Sequence, residues 1–327
     1  MKAIVQDTYG SADVLRVGEI DKPQVGDEDV LVRVHAAGMD PGVWHVMTGL
    51  PYMIRLMGYG LRAPKVRIPG TDLAGRVEAI GKNVTQLQVG EAVFGACHGS
   101  FAEYACAREN NLMAKPENLT FEQAAAVHTS ALTALQGLRD KGAVHAGQRV
   151  LVIGAAGGVG TFAVQLAKEL GAEVTGVCST TKVDMVRSIG ADHVIDYMSD
   201  DFAQKDERYD VILDTAGNRP LSHLRRALTP RGTLVIVGGE EGGRWMGGTD
   251  RQLRALVLSL FVRHKLRSFV ATSRKEDLQF LKELLEDGKV TPVIDRTYAL
   301  SEVPEAIRYL EEGHARGKTV IIVRGAA

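Results

Sequence analysis

The sequence predicts a two-part fold: a small all-β barrel followed by an α/β domain built on a doubly wound parallel sheet. Three observations carry that prediction. The first 120 or so residues read as short strands between turn signals, with no long helical periodicity. From Thr120 onward, strongly apolar strands alternate with helical segments, the pattern of strands buried on both faces between helix layers. Residues 150–172, VLVIGAAGGVGTFAVQLAKELGA, pass from an apolar strand through a glycine cluster into a helix.

Taken in order, DVLVRVHAAG (29–38) alternates Val30, Val32 and Val34 against Leu31, Arg33 and His35, a period of two. LAGRVEAIG, EAVFGA and SFAEYACA follow, each bounded by Gly, Asn, Pro or Asp, as in a small barrel. Thr120 and Gln123 have capping-box spacing and predict a helix of about five alanine-rich turns ending at Gly142. RVLVIGA (149–155), EVTGVCS (173–179), HVIDY, YDVILDTAG (209–217) and GTLVIVGG (232–239) are the strands of the second part. VGTFAVQLAKELG, TKVDMVRSIG and PLSHLRRALTP are helices between them. SRKEDLQFLKELLEDG (273–288) predicts a further helix, with Ser273 and Glu276 as its cap. The tail SEVPEAIRYLEEGHARGKTVIIV reads as a helix and a last strand able to return to the first part.

A chain of 327 residues, 45% hydrophobic and 24% charged, is enough for two cores. The net charge of -1, without a lysine or arginine block, argues against a nucleic-acid partner. Cys97, Cys106 and Cys178 are odd in number and widely spaced, so neither a disulfide framework nor a Cys-x-x-Cys metal pair is expected, consistent with a reducing compartment. MKAIVQDTYG places Asp7 where a signal peptide needs its apolar centre, and ALVLSLFV (255–262) is too short to cross a bilayer. The expectation is a cytoplasmic protein with no membrane partner.

The glycine cluster poses a choice between tight packing and a phosphate brought close to the backbone. Ala155, Gly157 and Gly160 occupy the three positions of Gly-x-Gly-x-x-Gly, flanked by Gly154 and Gly158, after a strand and before a helix. That is the Rossmann turn: its middle glycine admits a pyrophosphate to the amides at a helix N-terminus, and its third lets helix and strand pack closely. The next strand should end in Asp or Glu if a free ribose 2′-hydroxyl is held. Here it ends in VCSTTK, with Ser179 in the acidic position and Thr180, Thr181 and Lys182 after it. Hydroxyls and a cation suit a 2′-phosphate, which favours NADPH over NADH. The plainer alternative makes Lys182 a solvated lysine at a helix start.

These segments resemble the medium-chain dehydrogenase/reductase superfamily and, within it, the zinc-independent quinone oxidoreductase-like branch. The resemblance covers nearly the whole chain: MKAIV, VLVRVHAAGMDPGVW (30–44), PGTDLAGRVEAIGKNVTQLQVGEAVFG (69–95), GAAGGVGTFAVQLAK (154–168), IGADHVIDY (189–197) and RGKTVIIV. It implies a GroES-like β-barrel domain over 1–121, completed by 292–327, and a Rossmann dinucleotide-binding domain over 122–291, with the active site in the cleft between them. Zinc alcohol dehydrogenases of this superfamily hold catalytic zinc by a cysteine in the segment matching AAGMDPGVW, a Gly-His-Glu and a later cysteine. Here the first segment has no cysteine, the second reads Gly70-Thr71-Asp72, the third falls in cysteine-free AVHTSALTAL, and the four-cysteine structural lobe is missing. His128 alone cannot fill a tetrahedral site, so no metal is expected.

Without a metal, hydrogen-bond donors must polarise the acceptor oxygen as hydride arrives. The resemblance implies Asp40, where related reductases carry asparagine, and Tyr52 of TGLPY, which loosely matches their tyrosine. A carboxyl at 40 donates only when protonated, whereas the Tyr52 phenol is a donor as it stands. For both the alternative is purely structural, a loop carboxylate and a packed aromatic. On the cofactor side the resemblance implies Thr129 near the nicotinamide, and Gly154, Ala155, Gly157, Gly158, Val159 and Gly160 around the pyrophosphate. It places Ser179, Thr180 and Lys182 at the 2′-phosphate and Tyr197 near the adenosine. Thr215, Ala216 and Gly217, with Val237, Gly238 and Gly239, end two strands at the carboxyl edge, and Arg316 and Lys318 reach in from the C-terminal segment.

The expected activity is NADPH-dependent hydride transfer to a quinone or an α,β-unsaturated carbonyl such as an enone or enal, without zinc. Alternatives are a 2-enoyl thioester reductase and a catalytically silent NADPH-binding sensor or structural protein. A short-chain dehydrogenase is disfavoured because no Tyr-x-x-x-Lys occurs. In the 238–250 stretch, Trp245 and Met246 stand among glycines, either as a lid over substrate or as a surface loop. Leu253, Leu256, Val257, Leu260 and Phe261 form one apolar helix face, suited to a substrate pocket or to the subunit contact of a homodimer.

Overall fold

The computed structural model describes residues 1–204, 206–238 and 243–324. The first strands are β1 (Lys2–Val5), β2 (Arg16–Glu19), β3 (Asp29–Met39), β4 (Asp72–Ile80), β5 (Ala92–Ala96), β6 (Tyr104–Arg108) and β7 (Leu112–Ala114), with α1 (Pro41–Thr48) after β3. Helices α2 (Phe121–Ala125) and α3 (His128–Leu135) lead to β8 (Arg149–Ile153), α4 (Gly158–Glu169), β9 (Glu173–Cys178), α5 (Val183–Ser188) and β10 (His193–Asp196). Then come β11 (Tyr209–Asp214), α6 (Leu221–Arg226), β12 (Leu228–Ile236), α7 (Thr249–Ser259) and β13 (Lys265–Ser268). The chain closes with α8 (Lys275–Glu286), β14 (Ile294–Ala299), α9 (Val303–Glu311) and β15 (Lys318–Ile322).

Two compact units result, one of residues 1–130, 273–288 and 292–327, the other of 131–272 and 289–291. In the first, β14, β15, β3, β4, β5 and β7 lie side by side in that order, and β6 pairs with β3. The eleven-residue β3 is shared along its length: Asp29–Arg33 pair with β6 and Ala36–Met39 with β15, all antiparallel. Val30, Val32 and Val34 are fully buried, as their spacing predicts, in a core that includes Ile4, Leu73, Phe101, Ile307 and Ile321. The C-terminal strand therefore returns to the first unit, where Thr319 pairs with Met39.

In the second unit six parallel strands run in the order β10-β9-β8-β11-β12-β13, which is 3-2-1-4-5-6 in chain order. This is the doubly wound arrangement, and its order reverses beside β8, so a crevice opens beyond the carboxyl ends of β8 and β11. Val150, Leu151 and Val152 are wholly buried, as are Ile212 and Leu213, which explains the near-continuous apolar runs in the sequence.

Two local expectations are corrected. The segment 120–142 carries its capping box, with Thr120 accepting from the Gln123 amide and Gln123 from the Thr120 amide, but it is not one helix. It breaks at Ala126–Val127, and Gln136–Gly142 widens into a π-helix. The cap assigned to Ser273 is absent as well: α8 starts from Arg274 with no side-chain cap, because the Ser273 hydroxyl lies 3.1 Å from His128 Nε2 instead. Among the described residues no helix is long and apolar enough to cross a membrane.

Candidate active site

The glycines of the turn in the second unit differ in what packing requires of them. A Cβ on Gly160 would stand 2.0 Å from the Gly154 carbonyl oxygen and 2.8 Å from Ala155 backbone atoms, so this glycine exists for helix–strand packing. Gly157 is different. Its φ of -84° and ψ of 176° suit any residue, and a Cβ there would meet only the Gly154 oxygen, at an ordinary 3.5 Å. Packing does not require glycine at 157. Gly157 is also the N-cap of the twelve-residue α4, and no side chain caps that terminus. The first-turn amides of Gly158, Val159 and Gly160 thus have no side-chain cap.

The neighbouring strand ends converge on the same edge. Thr215 donates its hydroxyl to the Ile153 carbonyl at 2.8 Å, fastening the end of β11 to the end of β8. Gly217 N–H donates to Asp214 at 3.1 Å, and the Val237 and Gly238 amides donate to the Asp214 carbonyl at 2.9 and 3.2 Å. Thr215, Ala216, Gly217, Val237 and Gly238 are therefore brought together; Gly239 lies outside the described residues. Ser179 ends β9 and leads into the single turn Thr180–Lys182, and the Tyr197 amide donates to Cys178 at 3.0 Å. This sets the half-exposed Tyr197 beside the Ser179–Lys182 turn, and the β9 terminus carries hydroxyls and a lysine rather than a carboxylate.

The first unit holds a buried polar cluster that the sequence reading found only in part. Thr319 pairs with Met39 across β15 and β3, and Gly38 with Asp72 across β3 and β4, so three adjacent strand ends present Lys318, Asp40 and Asp72. Their exposures are 2%, 7% and 0%. Lys318 Nζ is 3.6 Å from Asp72 Oδ2. Asp72 also accepts from the Thr129 hydroxyl at 2.5 Å and from its amide at 3.2 Å, and His128 Nδ1 lies 3.6 Å from Asp72 Oδ1. Asp40 caps α1, with Oδ1 accepting from Gly42 N–H at 2.8 Å and Oδ2 from the Thr71 hydroxyl at 3.3 Å.

The charges of this cluster decide the protonation of its acids. Burial pushes the Asp40 carboxyl up, and the negative charge of Asp72 adds to the effect against the opposing pull of Lys318. Asp72 is held below the usual carboxylate range by Lys318, His128 and Thr129, which outweigh its burial. The two buried acids are thus shifted in opposite directions, Asp40 upward and Asp72 downward. Asp72 and His128, with Thr71 on Asp40 and Ser273 on His128, are legible in the sequence only as a zinc motif without its ligands, a lone histidine and a helix cap.

The remaining candidates are scattered. Tyr52 is half-buried just beyond α1, its ring 4.8 Å from the guanidinium carbon of Arg55. Arg55 is itself tied to the end of α1 through Gly49 O at 2.9 Å and Thr48 O at 3.3 Å. Arg316 is exposed, with its amide on Asp295, while the Lys318 ammonium faces Asp72 inside the barrel unit. The apolar face of α7 is exposed at Leu253, Leu256 and Val257, and Leu260 and Phe261 just beyond its end are 81% and 80% exposed. Arg251 anchors that helix through a 2.5 Å ion pair to wholly buried Asp214. A cavity of about 890 Å³ opens beside it, lined in part by Arg219, Leu221, Arg254, Val257 and Phe261. Among the described residues no group of three or more His, Cys, Asp or Glu is arranged to hold a metal.

Comparison with known proteins places these features in a family. The alcohol dehydrogenase GroES-like domain model matches residues 26–117, and the zinc-binding dehydrogenase model residues 189–321. The 2-methylene-furan-3-one reductase of Solanum lycopersicum is 34% identical over 98% of this chain and 79% of its own length. The NADPH-dependent alkenal/one oxidoreductase of Arabidopsis thaliana is 33% identical over the same shares. The solved quinone oxidoreductase of Coxiella burnetii superposes with a TM-score of 0.86 at 30% identity, over 99% of each chain. With a parallel sheet in 3-2-1-4-5-6 order, a glycine turn between β8 and α4 and a barrel unit closed by the last strand, the chain belongs to the medium-chain dehydrogenase/reductase superfamily, in its quinone oxidoreductase-like branch.

Proposed function

We propose that the protein is an NADPH-dependent reductase of α,β-unsaturated carbonyls and quinones that works without zinc. The observation that carries this reading is the buried polar cluster where zinc ligands would stand, in which the Asp40 carboxyl is buried and its pKa raised. Gly157 and the α4 amides fit a pyrophosphate, and Ser179, Thr180 and Lys182 fit a 2′-phosphate. When bound, NADPH supplies the hydride. The chain's own residues orient the acceptor and donate hydrogen bonds from Asp40 and Tyr52 to its oxygen, where charge develops. The test is NADPH oxidation with a panel of enones, enals, enoyl thioesters and quinones in the presence of a strong chelator. Turnover confined to enoyl thioesters would replace the substrate class, turnover lost to the chelator would restore a metal, and cofactor binding without turnover would favour a sensor.

Cofactor choice has its own check. Lys182→Ala is expected to weaken NADPH about tenfold and leave NADH unchanged, the loss of one charge-assisted contact at a partly exposed site. Fluorescence titration of both cofactors reads it, and equal wild-type affinity for the two would remove the 2′-phosphate assignment.

Asp40 predicts a pH dependence with a definite sign. Its pKa is raised, so the donor form persists above the ordinary carboxylate range and is lost as pH rises through the raised value. Enone reduction should fall along that alkaline limb, and Asp40→Asn, which keeps an N–H donor, should flatten it. Across the same window the folded chain binds more protons than the unfolded one, so this group's contribution to stability also declines as pH rises. An alkaline limb that survives in Asp40→Asn belongs to another residue.

The uncovered α7 face, together with β13 at the sheet edge, supports a homodimer through this side of the second unit. Sedimentation of the wild type against Phe261→Glu distinguishes a dimer from a monomer.

A further inference from the structure

Beyond α1 the barrel unit exposes a cluster of large apolar side chains. Leu56, Met57 and Leu61 are 76%, 70% and 65% exposed, and Tyr59 between them is exposed as well. Their backbone is nonetheless fixed. The Arg55 guanidinium donates to Gly49 O and Thr48 O at the end of α1 and lies over the Tyr9 ring, while the Tyr9 hydroxyl reaches Gly60 O at 2.7 Å. Lys65 N–H donates to Tyr59 O at 2.9 Å, and a Cβ on Gly60, whose φ is 112°, would stand 2.1 Å from Ala63 O. The two arms of this tip, 55–60 and 61–65, therefore close on each other. They set Arg62 and Lys65 beside the apolar side chains. A patch of this kind, held out of the core by an anchored backbone, marks an interaction surface.

Charge selects the partner. Between Asp40 and Asp72 the sequence has no acidic residue but carries Arg55, Arg62, Lys65 and Arg67, in a chain of 39 basic and 40 acidic residues overall. Arg67 is matched by Asp7. Arg62 and Lys65 are exposed and pair with no carboxylate among the described residues. The exposed α7 face differs, because Asp250, Arg251 and Arg254 put both signs beside its leucines, as suits a second copy of the chain. We infer that residues 56–65 are a membrane-docking tip, with Leu56, Met57 and Leu61 entering the acyl boundary of a bilayer whose anionic headgroups meet Arg62 and Lys65. Such contact is peripheral and needs no spanning helix, which is all that the short apolar run 255–262 argues against. None of the residues assigned to the reaction lies in the tip, so docking and catalysis are tested apart.

The test is a titration of the purified chain with vesicles of phosphatidylcholine, alone or mixed in equal parts with phosphatidylglycerol. Tight binding is expected only to the mixed vesicles, and it should weaken as salt is raised. Arg62→Gln combined with Lys65→Gln is expected to weaken it about twenty-fivefold, at about fivefold for each charge. Leu56→Ser combined with Leu61→Ser is expected to weaken it about a hundredfold, at about tenfold for each side chain withdrawn from the acyl boundary. All four side chains are exposed, so both variants should melt as the wild type does. Met57→Trp should show a blue shift of emission on the mixed vesicles that the wild type lacks. A wild type that ignores the mixed vesicles overturns the proposal, as does equal binding to both kinds of vesicle. Binding that either double variant leaves unchanged places the contact elsewhere and overturns it too. A raised acceptor KM in the leucine variant, with no vesicle binding by the wild type, assigns the tip to substrate entry instead.

Discussion

Gly157→Ala is expected to leave the melting temperature within a degree or two while weakening NADPH about a hundredfold or more. Gly160→Ala is expected to unfold the second unit or lower its melting temperature sharply. The two glycines are three residues apart in one turn, yet a Cβ at 160 would meet the Gly154 oxygen at 2.0 Å and a Cβ at 157 meets it at 3.5 Å. The first is an overlap that only movement of strand β8 or helix α4 relieves, a cost of about 3 kcal/mol or more. The second fits the protein and, on the proposed reading, fills the space through which a phosphate would reach the α4 amides. Loss of two charge-assisted hydrogen bonds at ~1.5 kcal/mol each sets the expected affinity change. Thermal melts and cofactor titrations of both variants read the outcome. If Gly157→Ala binds NADPH as wild type does, the turn is a packing device and the cofactor site must be sought elsewhere.

Tyr52→Phe is expected to lower kcat and kcat/KM for an enone together, by about 10²–10³, with KM and NADPH affinity nearly unchanged. The substitution is a clean one. The Tyr52 ring is held by stacking under Arg55, which is bonded to the end of α1, and phenylalanine preserves that contact. On the proposed reading, what disappears is a donor to an oxygen whose charge grows only as hydride is transferred, so the loss would appear in the transition state and not in substrate binding. A quinone accepts hydride more readily and should show a smaller drop. Wild-type rates with enone, enal and quinone alike would reduce Tyr52 to packing and leave Asp40 as the donor.

The strands, the glycine turn and the family were legible in the sequence because each is a local or periodic property. Strands β8, β9, β11 and β12 announce themselves as apolar runs, since both faces of a parallel sheet are buried. The glycine cluster and the serine-to-lysine run after β9 lie within single short segments, and their spacing alone points to a phosphate turn and to a 2′-phosphate. The helix over 120–142 was misjudged because alanine periodicity does not register the break at Ala126–Val127.

What the sequence by itself determined is a two-part oxidoreductase fold, a dinucleotide-type turn and the loss of the zinc ligands. Only the tertiary structure decided what replaced them. Asp40, Asp72, His128, Ser273 and Lys318 are scattered from the third strand to the last, and no spacing rule joins them. They meet because β15 returns to lie against β3, and β3 against β4, which sets the lysine and the two acids at neighbouring strand ends away from water. Burial then changes their chemistry. A carboxyl that is an anion in any exposed peptide has its pKa raised here by burial and by a second acid nearby, and that depends on long-range pairing and desolvation rather than on any local stretch of residues.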